Sequence, residues 1–349
     1  MLSQQKYDLV MDGAFIPAIP LALNEDLSFN EQRQRALVRY YLDAGVDGIA
    51  AAVHTTQFEI RQHKETYERF MVLVLEEIDA FESRTGKQIL RVAGISGELE
   101  QAKREADYIQ TLGYDVGLLS VSAYSNDTPL DVLVDYYRAV SEITPVFGFY
   151  MQTSVGGREL PYEFWEQVLQ NERVVGVKAA PFDRYRTIEV ARACANTAAK
   201  RKVPVALYTG NDDSIVTDLL TTYTFNVEGE EVKVPVRGGL LGHWSVWAKT
   251  AVDLFQDIKE QRQGSTVSQE MLTRAVEVTD ANSAFFDVLG NFDGCIAGIH
   301  EVLRKQGFFE GIYCYPGNGD LSPGQQTEIE RVYESYPHLH DDEFVSTHI

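Results

Sequence analysis

The stretch Val174-Val175-Gly176-Val177-Lys178-Ala179-Ala180 decides how this chain is read. Asn171-Glu172-Arg173 precedes it and Pro181 follows it. An apolar run this short, bounded in this way, reads as a strand buried on both faces, as in a parallel sheet. A lysine at the far end of such a strand is costly unless it is used. Burial disfavours the ammonium and pushes its pKa toward neutrality. The neutral amine is a nucleophile that can form a Schiff base with a carbonyl substrate. The alternative is a lysine that snorkels its charge to the surface at a strand end.

Outward from this strand, short apolar runs alternate with amphipathic stretches. Strands are expected at Ala14–Leu21, Gly48–Val53, Ile89–Ile95, Val116–Val121, Val146–Met151, Val174–Ala179, Pro204–Thr209 and Val236–Leu241. Helical spacing appears in Glu31–Ala44, Lys64–Glu82, Leu99–Leu112, Pro129–Ile143, Pro161–Leu169, Tyr185–Ala199, Ser214–Leu220 and Ser245–Gln261. Ala44-Gly45, Leu112-Gly113 and Thr144-Pro145 are stop signals. Eight strand–helix repeats in about 250 residues predict an α/β fold of the (β/α)8 TIM-barrel type. An open doubly wound sheet is the rival, but its nucleotide-binding form needs a Gly-rich first turn. Pro17-Ala18-Ile19-Pro20 is the wrong chemistry for that turn.

Thr222–Val236, centred on Glu228-Gly229-Glu230, reads as a β-hairpin inserted before strand eight. After Gly264 only helices are expected: Val267–Leu289, Gly294–Gln306 and Pro323–Tyr336. The domain reading is therefore a barrel over 1–263 and a C-terminal helical appendage over 264–349. The tail from His338 to Ile349 is expected to fray.

With 52 acidic against 31 basic residues the net charge is −21, which excludes nucleic acid and an anionic membrane surface as partners. No apolar run reaches membrane-spanning length. Cys194, Cys295 and Cys314 give neither a disulfide framework nor a zinc pattern, so a reducing cytoplasm is expected. The N-terminal residues carry no secretory signal. The seven histidines show no metal-ligand spacing. Neither metal nor cofactor is expected.

In a barrel of this kind the active site lies at the C-terminal ends of the strands. There the sequence offers His54-Thr55-Thr56, Ser122-Ala123-Tyr124-Ser125, Phe149-Tyr150-Met151, Lys178 and Thr209-Gly210-Asn211-Asp212. Lys178 would attack a ketone. A phenol such as Tyr150 would shuttle protons. Thr55 and Thr56 would donate hydroxyl and backbone N–H groups to a substrate carboxylate. Read separately, a strand-end tyrosine is a packed aromatic and a Thr pair is turn chemistry. Converging on one rim, they suit imine chemistry on a 2-oxo acid.

These residues resemble the dihydrodipicolinate synthase / N-acetylneuraminate lyase family, Schiff-base aldolases and dehydratases on a (β/α)8 barrel. The family's Gly-Thr-Thr-Gly-Glu motif looks like His54-Thr55-Thr56-Gln57-Phe58, and its Val-Gly-Ile-Lys looks like Val175-Gly176-Val177-Lys178. Its strand-five tyrosine looks like Tyr150, 28 residues before Lys178. Its Gly-Asp-Asp is similar to Gly210-Asn211-Asp212-Asp213. The resemblance implies Lys178 and Tyr150 as catalytic residues, with Thr55, Thr56, Gly210 and Tyr124 binding substrate. It also implies a homotetramer or homodimer. The departures bear on substrate. Val155 stands where a synthase has an Arg for a carboxylate, and Ser125 where it has a second Tyr. Arg158 and Arg237 are the basic residues that could compensate. The expectation is a lyase acting on pyruvate or a sugar-derived 2-oxo acid, and not an authentic dihydrodipicolinate synthase. Its partner substrate would be neutral, hydroxylated, or aromatic and facing Phe58 and Trp244. The competing class is a non-catalytic barrel that binds a small carbonyl or carboxylate ligand as a sensor or scaffold.

Overall fold

The computed structural model describes residues 2–198 and 200–349. The elements in chain order are α1 (Gln4–Asp12), β1 (Phe15–Pro17), α2 (Glu31–Ala44), β2 (Gly48–Ala51), α3 (Lys64–Thr85), β3 (Leu90–Ile95), α4 (Leu99–Leu112) and β4 (Val116–Leu119). Then come α5 (Leu130–Ser141), β5 (Val146–Met151), α6 (Tyr162–Val168), β6 (Val174–Ala180), α7 (Arg184–Ala198), β7 (Ala206–Thr209), α8 (Ile215–Leu220), β8 (Thr222–Val227) and β9 (Glu230–Leu241). The chain ends with α9 (Ala248–Gln261), α10 (Gln269–Phe285), α11 (Cys295–Lys305), α12 (Gln325–Ser335) and α13 (Asp342–Val345). Eight strand–helix repeats followed by helices make this a (β/α)8 barrel with C-terminal helices. The expected helix end at Ala199 lies outside the described residues.

Backbone contacts divide the chain into two compact units. The first comprises Met1–Ala14, Leu90–Asn211 and Thr217–Leu240. In it β3, β4, β5, β6, β7 and β9 lie side by side in that order, all parallel. Each strand is buried because helices cover it, which is why the runs read as apolar throughout. Two glycines let the layers meet. A Cβ on Gly148 would come within 2.7 Å of the Trp165 ring, and one on Gly176 within 1.7 Å of Phe147. Side chains alternate along a strand, so Gly148 faces the helix α6 and Gly176 faces the opposite side.

The expected hairpin forms, but its second arm is not separate from strand eight. β8 pairs antiparallel with β9, which runs on without a break as the eighth parallel strand. Glu228 and Gly229 both have positive φ, 53° and 96°, as a two-residue turn of this hand requires. The helix α1 was not read from the sequence. Tyr7 donates to the Pro204 carbonyl at 2.9 Å and Lys6 pairs with Asp115 at 3.1 Å. Tyr208 donates to the Val10 carbonyl and accepts from the Ala14 N–H, both at 2.8 Å.

The second unit comprises Phe15–Ile89, Asp212–Val216 and Leu241–Ile349. Here β1 and β2 run parallel. Gly45, past α2, takes φ 104° and caps it, as the Ala44-Gly45 signal predicts. Trp244 stacks on Phe15 at 3.6 Å and belongs to this core, not to a substrate pocket as expected. The expectation of a frayed tail is also corrected. Leu339 and Val345 are buried, and Asp341 accepts from the Tyr40 hydroxyl at 2.6 Å and the Lys249 N–H at 2.9 Å. An apolar pair flanking a buried acceptor secures a segment whose polar composition suggested none.

Candidate active site

Lys178 sits one turn of the pleat before the end of β6 and is 8% exposed. Its register partners are Phe149 on β5 and Tyr208 on β7. Residues paired in a parallel ladder point to the same face, so Lys178 shares its face with Phe149. The ammonium lies over the Phe149 ring, 4.4 Å from the centroid. Such a contact favours the cation.

Tyr150, the expected proton shuttle, is on the other face. It follows Gly148 by two residues, and its ring lies 5.9 Å from Trp165 on α6. Its hydroxyl accepts the Leu160 N–H at 3.3 Å. Burial pushes this phenol up. Tyr150 thus packs on the α6 side of β5, and Phe149 lies beside the lysine. The cause is a register shift in β5 against β6. Val146 pairs with Val174, an offset of 28 (174 − 146), but Phe149 pairs with Lys178, an offset of 29 (178 − 149). The pairing offset is thus 28 at the start of the strand and 29 at its end. An irregularity of one residue exchanges the faces.

Gly210 lies beside the lysine. A Cβ there would stand 2.4 Å from Lys178 Cε and 2.8 Å from Ala180 Cβ. The absent side chain is the space through which the lysine stem runs. The neighbouring residues form a network that sequence reasoning missed. Thr209 donates its hydroxyl to Asp218 at 2.6 Å and accepts the Asn211 N–H at 3.1 Å. Asn211 Nδ2 donates to Asp218 at 3.0 Å and to Thr187 at 3.1 Å, and Asn211 Oδ1 accepts the Phe182 N–H at 3.0 Å. Asp218 is fully buried and pairs with Arg184. An aspartate in the apolar helix that follows Gly-Asn-Asp was its only sequence signal.

Tyr124 lies in the β4–α5 loop with its ring edge on Tyr136, 5.1 Å between centroids. Burial raises its phenol pKa, opposed by a hydrogen bond from the backbone of Leu99. Arg158 donates to the carbonyls of Ser125 at 2.6 Å, Asn126 at 3.0 Å and Thr128 at 3.2 Å. It fastens that loop, which argues against its proposed carboxylate role. Arg237 is the residue of β9 left without a register partner at the irregularity against β7, between Val236 and Gly238, and its charge acts on Tyr7 of α1.

In the second unit, β2 leads into a short helical turn over His54–Thr56. Thr56 donates to the Ile19 carbonyl at 2.6 Å. Thr55 is buried, its hydroxyl 3.7 Å from where a Cβ on Gly242 would stand. Gln57 adopts φ 72°, the backbone that a glycine holds without strain. Its Oε1 accepts the Tyr315 N–H at 2.7 Å, and His63 stacks on Tyr315 at 4.1 Å. The substitution that departs from the motif thus ties the turn to the C-terminal segment. His243 is buried and neutral, its pKa held down at about 4. Among the described residues no group of His, Cys, Asp and Glu could hold a metal ion, and no helix is long and apolar enough to cross a membrane.

Comparison with solved structures shows the same fold. The chain superposes on dihydrodipicolinate synthase from Cyanidioschyzon merolae with a TM-score of 0.74 at 17% identity, covering 94% of this chain and 99% of that one. N-acetylneuraminate lyase from Fusobacterium nucleatum gives 0.70 at 18%, with 94% and 99% covered. Among relatives in sequence, N-acetylneuraminate lyase from Actinobacillus pleuropneumoniae serotype 5b is 23% identical over 321 residues, 90% of this chain and 95% of that protein. A 4-hydroxy-tetrahydrodipicolinate synthase from Methanopyrus kandleri is 28% identical over 174 residues, 48% of this chain. That match spans 54% of the relative's length. The sequence model of the dihydrodipicolinate synthetase family matches residues 12–223, more than half of the chain, and the chain belongs to that family.

Proposed function

We propose that the protein is a Schiff-base-forming lyase in which Lys178 attacks the ketone of pyruvate or a sugar-derived 2-oxo acid. The observation that carries this reading is the buried lysine at the end of β6, its stem running past Gly210. The Nζ lone pair forms a bond to the keto carbon. A proton passes from nitrogen to the former carbonyl oxygen to give the carbinolamine; a second proton, delivered to that oxygen by water or by the substrate's own acidic group, lets the C–O bond break with loss of water and leaves the iminium. The resulting iminium draws electrons from the adjacent carbon, which can then lose a proton or a carbon–carbon bond. With Phe149 beside the amine and Tyr150 facing α6, the proton transfers fall to water or to the substrate's own groups. Thr55, Thr56 and Tyr124 enter as substrate-binding residues through the sequence resemblance alone. Val155 and Ser125 argue against dihydrodipicolinate synthesis, as does Arg158, whose donors hold loop carbonyls. The same reading takes the protein to be a homo-oligomer, tested by sedimentation at micromolar concentration.

One observation favours the second reading, a barrel that captures a carbonyl ligand without turning it over: the ring beside the lysine carries no hydroxyl. Exchange of the methyl protons of pyruvate with deuterated water, followed by NMR, separates the two. Exchange catalysed by the wild type and abolished by Lys178→Ala supports the lyase. Absence of exchange with pyruvate bound supports the binder.

A further inference from the structure

We propose that Asp218, acting through Thr209, is the positioning residue for Lys178. The inference rests on the reading of Lys178 as the Schiff-base amine. Three contacts enclose Gly210. Thr209 donates its hydroxyl to Asp218 at 2.6 Å. The same oxygen accepts the Asn211 N–H at 3.1 Å. Asn211 returns its amide to Asp218 at 3.0 Å. Gly210 itself donates its N–H to the Ala179 carbonyl at 2.7 Å, so the turn is pinned to β6 one residue after the lysine. The lysine stem lies against this turn so closely that a single methyl would displace it.

Asp218 is a fully buried carboxylate. Burying a charge is costly unless it is paired and hydrogen-bonded. Arg184, Thr209 and Asn211 meet that requirement together. The carboxylate therefore works as a rigid anchor. It holds the turn from behind, and the turn sets the direction from which Nζ approaches a carbonyl. Misplacing a reacting atom by about 1 Å can cost on the order of a hundredfold in rate.

The test is the rate at which sodium cyanoborohydride traps pyruvate on Lys178, measured by mass spectrometry against pyruvate concentration. Thr209→Val removes the donor while keeping the size of the side chain and the Arg184–Asp218 pair. Thr209→Ser keeps the donor. The expected result is a limiting trapping rate lowered about tenfold or more in Thr209→Val, with half-saturating pyruvate unchanged, and restored in Thr209→Ser. Asp218→Asn should behave as Thr209→Val does, with thermal unfolding recorded for all three variants. A Thr209→Val protein that traps at the wild-type rate overturns the proposal. Loss in Thr209→Val that Thr209→Ser fails to restore overturns it too, because a packing role would explain the loss. No adduct on Lys178 in the wild type removes the Schiff-base reading, and this inference with it.

Discussion

At the residue scale the account turns on three neighbours in β5, β6 and the turn after β7: Phe149, Lys178 and Gly210. Phe149 and Tyr150 are adjacent in sequence, but only one can face the lysine. Tyr150→Phe should therefore leave pyruvate trapping at the wild-type rate. It should cost about 1–2 kcal/mol of stability, because the Leu160 N–H loses its acceptor. Gly210→Ala should do the reverse to the site, slowing trapping at least tenfold, because its Cβ would stand 2.4 Å from Lys178 Cε. A Tyr150→Phe protein with trapping lowered a hundredfold would restore the tyrosine to the site. The place of Lys178 near the end of a buried strand was legible from its apolar run, and that of Gly210 just after β7 from the Gly-Asn-Asp stretch. The choice between Phe149 and Tyr150 was not. Alternation shows that they face opposite ways, but which faces the lysine depends on a one-residue irregularity between β5 and β6 that no spacing reveals.

At the scale of elements, the strands and most helices were legible because each apolar run is covered by its helix. Glu31–Ala44 and Leu99–Leu112 match their expected limits, each ended by a glycine of positive φ. What periodicity missed is held by single polar contacts. The tail is the clearest case. Asp341 accepts from Tyr40, the Lys249 N–H and, at 2.8 Å, the Gln306 amide. Burial raises the pKa of its carboxyl. Asp341→Ala should lower stability by about 2–4 kcal/mol, since several buried donors lose one acceptor. Urea unfolding checks this. A midpoint unchanged within error would mean that the tail frays as its composition suggests. The network of Asp218 was illegible for the same reason: Thr187, Thr209, Asn211 and Asp218 come from separate elements, and only the fold makes them neighbours.

At the scale of the molecule, the net charge of −21 disfavours polyanionic partners but says nothing of a substrate. Acid should destabilise the protein through its buried imidazoles. Burial holds His243 down at about 4 and His300 at about 3, whereas in the unfolded chain both take a proton near 6.5. Stability is therefore full above about pH 6.5 and is lost as the pH falls from there toward those folded values. Thermal unfolding midpoints should fall between pH 6.5 and 5, and fall less in His243→Gln. A flat profile in the wild type would contradict the burial of these rings. The family shows the barrel and a lyase chemistry in general terms; the reaction at Lys178 is the central claim. Its most direct measurement is borohydride reduction of the wild-type protein in the presence of pyruvate, then peptide mass spectrometry. The account predicts one reduced pyruvyl adduct, on the peptide that contains Lys178, and none in Lys178→Ala. An adduct on a different lysine, or no adduct with pyruvate or any other 2-oxo acid, would contradict it.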